Sequence, residues 1–212
     1  MNGIPLNVVV EYYASLVSAL TAVFLGTLVH FRKSGKVSSL VKKSVRLLDL
    51  IIYMSLVRLV NSDAFRDELA QIYVAVHLDL GSFEDLERAV RRSLNANKSY
   101  LKSLNGAFAL RKKIVSTYRV FREKLLEAIM VSGLSLTVGV VYAGLLGVGF
   151  VSPLNPFTYL LIGVLTGLSL IGTYLLVVLT KSYVELSRLK DSVLNLYRKT
   201  KAEIRSEYQG KT

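Results

Sequence analysis

From Ala128 to Thr180 the chain runs for 53 residues without a charged side chain. Glu127 stands just before this run and Lys181 just after it, and Ser152-Pro153-Leu154-Asn155-Pro156 interrupts it near the middle. Proline has no N–H and disfavours helix in the residue before it, so two prolines three apart predict a turn. Two arms of 24 residues remain, Ala128–Val151 and Phe157–Thr180. A helix of that length rises about 36 Å, enough to cross a hydrocarbon core of about 30 Å with some tilt. In lipid each backbone N–H and C=O must be satisfied within its own segment, so the run is expected to form a transmembrane helical hairpin.

Small residues recur along both arms. Gly139, Ala143 and Gly147 fall at spacing four on the first, and Gly163 and Gly167 do so on the second. Such spacing lets two backbones approach closely, which replaces the hydrophobic drive that lipid removes. It predicts packing within the hairpin, with dimerisation between chains as the alternative.

Of the 212 residues 52% are hydrophobic, unlike a typical soluble domain, and the length suits one membrane domain with a cytoplasmic extension. Cysteine is absent, which excludes disulfides, thiolate chemistry and cysteine-based metal sites. The lack of Cys and the presence of only two glutamines match a thermophile's bias against labile residues. The net charge of +12 is unevenly placed. Residues 32–127 hold 19 Lys+Arg against 10 Asp+Glu, residues 181–212 hold 8 against 4, and the first 31 residues carry only Glu11. Basic residues therefore flank one end of each apolar run, as the positive-inside rule expects of a cytoplasmic face.

Tyr12–Val29 is a further uncharged run, followed by His30-Phe31-Arg32-Lys33. A cleaved signal peptide carries its basic residues ahead of the apolar run, whereas here they follow it. A retained first helix is expected, with the N-terminus outside, Arg32, Lys33 and Lys36 inside, and Tyr12 and Tyr13 at the outer interface. Ser34-Gly35 predicts a break. Val37–Val60 then carries Lys42, Lys43, Arg46, Asp49 and Arg58, and its longest uncharged run, Leu50–Val57, is far short of a crossing. It reads as a helix buried against others or half-sunk in the interface, with a fourth crossing as the alternative.

Further helices are expected over Asp63–Asp79, stopped by Gly81, and over Phe83–Leu94, opened by the capping pattern Ser82-Phe83-Glu84-Asp85. Asn95-Ala96-Asn97 reads as a turn. From Ser99 a long helix is predicted to run through Glu127 into the membrane, with Leu110, Ile114, Tyr118, Phe121 and Leu125 as its apolar stripe. Past Lys181 the second arm should continue, because Leu186, Leu189, Val193 and Leu196 keep a heptad-like spacing.

Catalytic chemistry finds little to work with. His30 and His77 stand apart from any metal-ligand spacing, and the hydroxyls Ser132, Ser135, Thr137, Thr158, Thr166, Ser169 and Thr173 have no His, Lys or Asp in the run to activate them. No catalytic residue, cofactor site or metal site is assigned. A transport path would be marked by charged groups inside the crossings, and these carry none. The remaining signal is the basic series Arg91, Arg92, Lys98, Lys102, Arg111, Lys112, Lys113, Arg119, Arg122 and Lys124, interleaved with Tyr100, Phe108, Tyr118 and Phe121. Its position at the edge of the apolar run favours anionic lipid headgroups over nucleic-acid phosphates, and it suits an acidic protein partner as well.

Two family resemblances accompany this reading. Leu78-Asp79-Leu80-Gly81-Ser82, Leu86-Glu87-Arg88-Ala89-Val90 and then Leu101, Leu104 and Gly106 resemble the cytoplasmic helical domain of type II secretion F-type platform proteins, which also occur in archaeal pilus and archaellum machines. That resemblance implies a membrane platform that contacts a secretion ATPase and organises subunits. The layout of one crossing, a helical region and a hairpin is similar to that of small archaeal Oxa-type insertases. The expectation is an all-α, multi-pass protein of the cell membrane with its C-terminus in the cytoplasm. Its parts would be a first crossing in 1–31, a basic cytoplasmic helical domain in 32–127, the hairpin in 128–180 and a cytoplasmic helix in 181–212. The role expected is a non-catalytic, homo-oligomeric scaffold, with an insertase and an oligomeric channel as alternatives.

Overall fold

A computed structural model of the chain describes residues 6–60, 101–153 and 155–209. Three long helices account for nearly all of them: α1 (Leu6–Val60), α2 (Leu101–Gly147) and α3 (Pro156–Gln209). The fold is all-α, and each of the three is long and apolar enough to cross a membrane. The expected helices over Asp63–Asp79 and Phe83–Leu94 and the turn at Asn95–Asn97 lie outside the described residues.

The break expected at Ser34-Gly35 is absent, because α1 passes through both residues as regular helix. A glycine in a helix costs only about 1 kcal/mol relative to alanine. A Cβ at Gly35 would meet nothing, so the glycine answers to no turn or close contact there. The continuity also removes the fourth crossing. Two successive crossings need a reversal of the chain between them, and Val37–Val60 is simply the second half of α1. The helix predicted from Ser99 through Glu127 is present as α2, and the continuation past Lys181 is present as α3.

The hairpin turn forms where expected but begins earlier. α2 ends at Gly147 rather than at Val151, and Gly149 adopts a left-handed φ of 73°. The Phe150 N–H reaches the Leu145 carbonyl at 3.0 Å and the Gly149 N–H reaches the Leu146 carbonyl at 3.1 Å, the paired bonds of a Schellman cap. Glycine, which has no Cβ to clash in that conformation, stops the helix before either proline is reached. On the far side the Asn155 side chain accepts the Phe157 N–H at 3.0 Å, and Pro156 takes the first helical position, where its missing N–H costs nothing.

The chain divides into two compact units, residues 1–37 with 118–185 and residues 38–117 with 186–212. In the first, α1 and α3 run parallel and α2 runs against them. Gly26 lies against Leu176 and Val23 against Gly172, whereas Leu20 lies against Gly139 and Phe24 near Gly133. Its buried positions alternate in steps of four and three: Val9, Tyr13, Leu16, Leu20, Val23 and Thr27 on α1, and Phe121, Leu125, Ala128, Ser132, Ser135, Gly139 and Tyr142 on α2. That mean period of 3.5 residues is the seam of left-handed helix packing.

The second unit has the same rhythm with different residues. Val41, Ser44, Leu48 and Ile51 on α1, Leu104, Ala107 and Ile114 on α2, and Leu186, Leu189 and Val193 on α3 are buried. The heptad-like spacing read from Leu186 to Val193 is thus a buried stripe, and Leu196 is half-buried at its next step.

Candidate functional site

The first unit is greasy outside and admits small and hydroxyl residues among the Leu, Val and aromatic side chains within. Leu134, Leu170, Met130 and Tyr174 stand about two-thirds exposed, at 66%, 68%, 65% and 66%. Thr27, Ser132, Ser135 and Thr158 are buried with Gly139 and Gly172. Water penalises such an exterior; lipid does not, and it leaves close packing of small residues to hold helices together.

On α1 charged residues bound this exterior at both ends. On α1 nothing charged lies between Glu11 and Arg32, a rise of about 31 Å that matches a hydrocarbon core of about 30 Å. At the Arg32 end, Arg32, Lys33, Lys36, Arg119, Arg122 and Lys181 are all exposed. The helices bring them to one level. Lys33 lies 5.4 Å from the centre of the Tyr183 ring, and Thr180 Oγ1 is 3.2 Å from His30 Nε2. The Thr180 hydroxyl also reaches the Leu176 carbonyl of its own helix, at 2.9 Å. Carrying the Phe24–Gly133 register along antiparallel α2 sets Lys33 level with Lys124. Lys124 donates to both oxygens of Glu127, at 2.9 and 2.7 Å, and these hydrogen bonds hold its ammonium pKa above the usual lysine value.

The five small residues predicted to pack helices take different places. A Cβ on Gly139 would meet Leu20 Cδ1 at 3.3 Å, and Ala143 packs partly buried beside the cluster of Tyr13, Leu16, Leu20, Tyr142 and Leu165. Around Gly147, Gly163 and Gly167 there is open space. The closest approaches occur at two glycines that the spacing rule does not select. A Cβ on Gly172 would come within 2.7 Å of Val23 Cγ1, and one on Gly26 within 3.0 Å of Leu176 Cδ1. Gly172 has leucines four positions away on either side, so the spacing rule passes it over, and Gly26 follows Ala22 at spacing four on α1, outside the hairpin in which the rule was applied.

Tyr13, expected at an interface beside Tyr12, instead turns inward. Its hydroxyl donates to the Gly139 carbonyl at 2.7 Å, and its ring lies 5.9 Å from that of Tyr142. Tyr12 stays exposed. The Tyr142 hydroxyl meets Thr158 Oγ1 at 2.7 Å, and Thr158 donates on to the Ser152 carbonyl at 3.1 Å, so a short chain of hydrogen bonds ties α2 to the turn and to α3. The hydroxyls of Thr27, Ser132, Ser135, Thr137, Thr166 and Thr173 each donate to the carbonyl four residues back on their own helix.

The predicted basic series is divided. Arg91, Arg92 and Lys98 lie outside the described residues, and Lys102 belongs to the first turn of α2. Arg111, Lys112 and Lys113 belong to the second unit, where Arg111 Nε pairs with Asp49 at 3.2 Å. A partly exposed pair of this kind contributes about 0–1 kcal/mol. Arg119, Arg122 and Lys124 belong to the first unit. The exterior of the second unit is charged, with Lys42, Lys43, Arg46, Lys112, Arg188, Lys190, Arg198 and Lys199 all exposed. No protein-family model, no curated protein and no solved structure matches the chain.

Proposed function

We propose that the chain is a non-catalytic membrane scaffold whose first unit sits in lipid and whose second unit works in water. The observation that carries this reading is the contrast of exteriors, one unit exposing Met130, Leu134, Leu170 and Tyr174, the other exposing Lys42, Lys43, Arg46 and Arg188. The basic level around Arg32, Arg122 and Lys181 marks the cytoplasmic side of the cell membrane and meets anionic headgroups there. The C-terminal end of α3 then lies in the cytoplasm. The second unit presents basic helices to an acidic protein partner, in the manner of an assembly platform that receives a secretion ATPase. Copies associate through the open glycine face of α3 at Gly163 and Gly167. An insertase or a channel needs polar groups free to meet a client or an ion. The seam hydroxyls are engaged with their own carbonyls, which favours the scaffold.

Because the chain has no cysteine, single-cysteine labelling tests the orientation directly. A membrane-impermeant maleimide on intact cells should label Asn155→Cys and leave Lys112→Cys untouched until the membrane is opened. Labelling of Lys112→Cys from outside would overturn the orientation, and recovery of the chain in the soluble fraction would overturn the membrane reading itself. Site-specific crosslinking from Lys112 and Lys199 should capture a cytoplasmic protein; contact with nascent hydrophobic chains instead would favour the insertase.

A further inference from the structure

Within the first unit α1 and α3 share a contact whose chemistry depends on pH. His30 lies one residue past the uncharged run Tyr12–Val29, at the level of Arg32 and Lys181, and its Nε2 stands 3.2 Å from Thr180 Oγ1. The other ring nitrogen, Nδ1, is buried and has no hydrogen-bond partner among the described residues. The buried hydroxyls of the same unit differ in this respect. Thr27, Ser132, Ser135 and Thr158 each donate to a carbonyl.

A neutral imidazole has a tautomer that suits this place, with its hydrogen on Nε2 beside Thr180 and a bare lone pair on Nδ1. The imidazolium has none. Both of its nitrogens carry hydrogen, so the charged ring would enclose a donor at Nδ1 that nothing accepts, and an enclosed unmet donor is costly. Neighbouring charges act in the same direction. On α1, Lys33 stands at the next turn and repels a second cation. On α3, Lys181 adjoins Thr180, and the Tyr183 ring already lies 5.4 Å from Lys33. On α2, Glu127 is the carboxylate level with His30, and both of its oxygens are bonded to Lys124. The folded chain therefore favours the neutral ring. Its contribution to stability is complete above the pKa of an unfolded histidine, about 6.5, and fades as acid charges the ring.

We infer that His30 is a proton-operated latch: neutral, it joins α1 to α3 at the basic level, and charged, it turns to water and lets the two helices part there. The way outward is open, because Thr180 is exposed and the contact between the two side chains lies at the surface. The latch belongs to two helices of one unit and does not depend on the orientation proposed above.

The test uses the full chain in detergent. Only one other histidine, His77, is present, so in His77→Gln the His30 ring is the sole imidazole and its titration is read directly by NMR with isotope-labelled histidine. The titration should centre below about 6.5. In the same background Gly35→Cys and Val184→Cys carry nitroxide labels one turn past the latch, where a Cβ at position 35 meets nothing and Val184 is exposed. The chain has no cysteine of its own, so only this pair is labelled. The distance between the labels should be narrowly distributed at about pH 7.5 and should broaden toward longer distances at about pH 5.5, following the titration of the ring. His30→Gln keeps an amide beside Thr180 and cannot become charged, so its distribution should stay narrow at both pH values. His30→Phe, uncharged and of similar volume, should respond as little. A ring that titrates at or above about 6.5 would overturn the latch. So would a distribution that ignores pH with His30 present, or one that broadens equally in His30→Gln and His30→Phe.

Discussion

The two units share one packing rhythm and differ in what they turn outward. Both bring three helix segments together along a step of four and three over mixed interiors, Leu20, Val23, Ser132 and Gly139 in the first and Leu48, Ile51, Ser44 and Ala107 in the second, but the first exposes Met130, Leu134 and Leu170 where the second exposes Lys42, Arg46 and Arg188. In water, burying leucine is the driving force, and a fully buried Leu or Ile contributes about 1.5–3 kcal/mol. In lipid that drive is gone, and what remains is how closely backbones approach and how well atoms fit. The repeat alone therefore does not reveal the medium. The medium is written in which polarity faces out.

The largest effect should come from hollowing the second seam. Leu48→Ala removes a fully buried side chain and should lower the stability of that unit by about 2–5 kcal/mol, measured as an earlier chemical denaturation midpoint. The companion change in the first unit tests the exterior. On the proposed membrane reading, Leu170→Lys places a charge near the middle of the apolar exterior and should cost about 2.5–3.5 kcal/mol, seen as loss of chain from the membrane fraction. Ser192→Lys on the exposed face of the second unit should change stability by less than about 0.5 kcal/mol. If the two lysines behave alike, the contrast between the units fails.

Overfilling the first seam is the next step down. Gly172→Val would thrust methyls into Val23 and should cost about 1–3 kcal/mol, read as a lower thermal midpoint in detergent. Gly163→Val, with open space around it, should cost far less on packing grounds. A smaller loss concerns the single bond from Tyr13. Tyr13→Phe leaves the ring in place and removes its donor to Gly139, for a loss of about 0.5–1.5 kcal/mol in the same thermal measurement.

Much of this architecture is legible in the sequence. The uncharged run from Ala128 to Thr180, the turn around Pro153 and Pro156, and the continuation of both arms into charged helix are all present. Two local signals misled. Gly35 looked like a stop, but a lone glycine without a left-handed role costs too little to end a helix whose next residues, Val37 and Val41, are buried. Gly149 looked unremarkable, yet it terminates α2 ahead of the prolines. The seam of the first unit was illegible for a plainer reason. Where nearly every residue is apolar, hydropathy has no period, so Tyr13 could not be told from Tyr12, nor Gly172 from Gly163. In the second unit the charges that alternate with Leu186, Leu189 and Val193 made the same period visible.

One consequence follows from the self-contained hydroxyls of the first seam. Because Thr27, Ser132 and Ser135 hand their protons to carbonyls on their own helices, their neighbours sense a volume and not a chemistry. Serine and alanine should be nearly interchangeable at Ser132 and Ser135 over evolutionary time, so that lineages could drift apart in spelling there while keeping the same calibre.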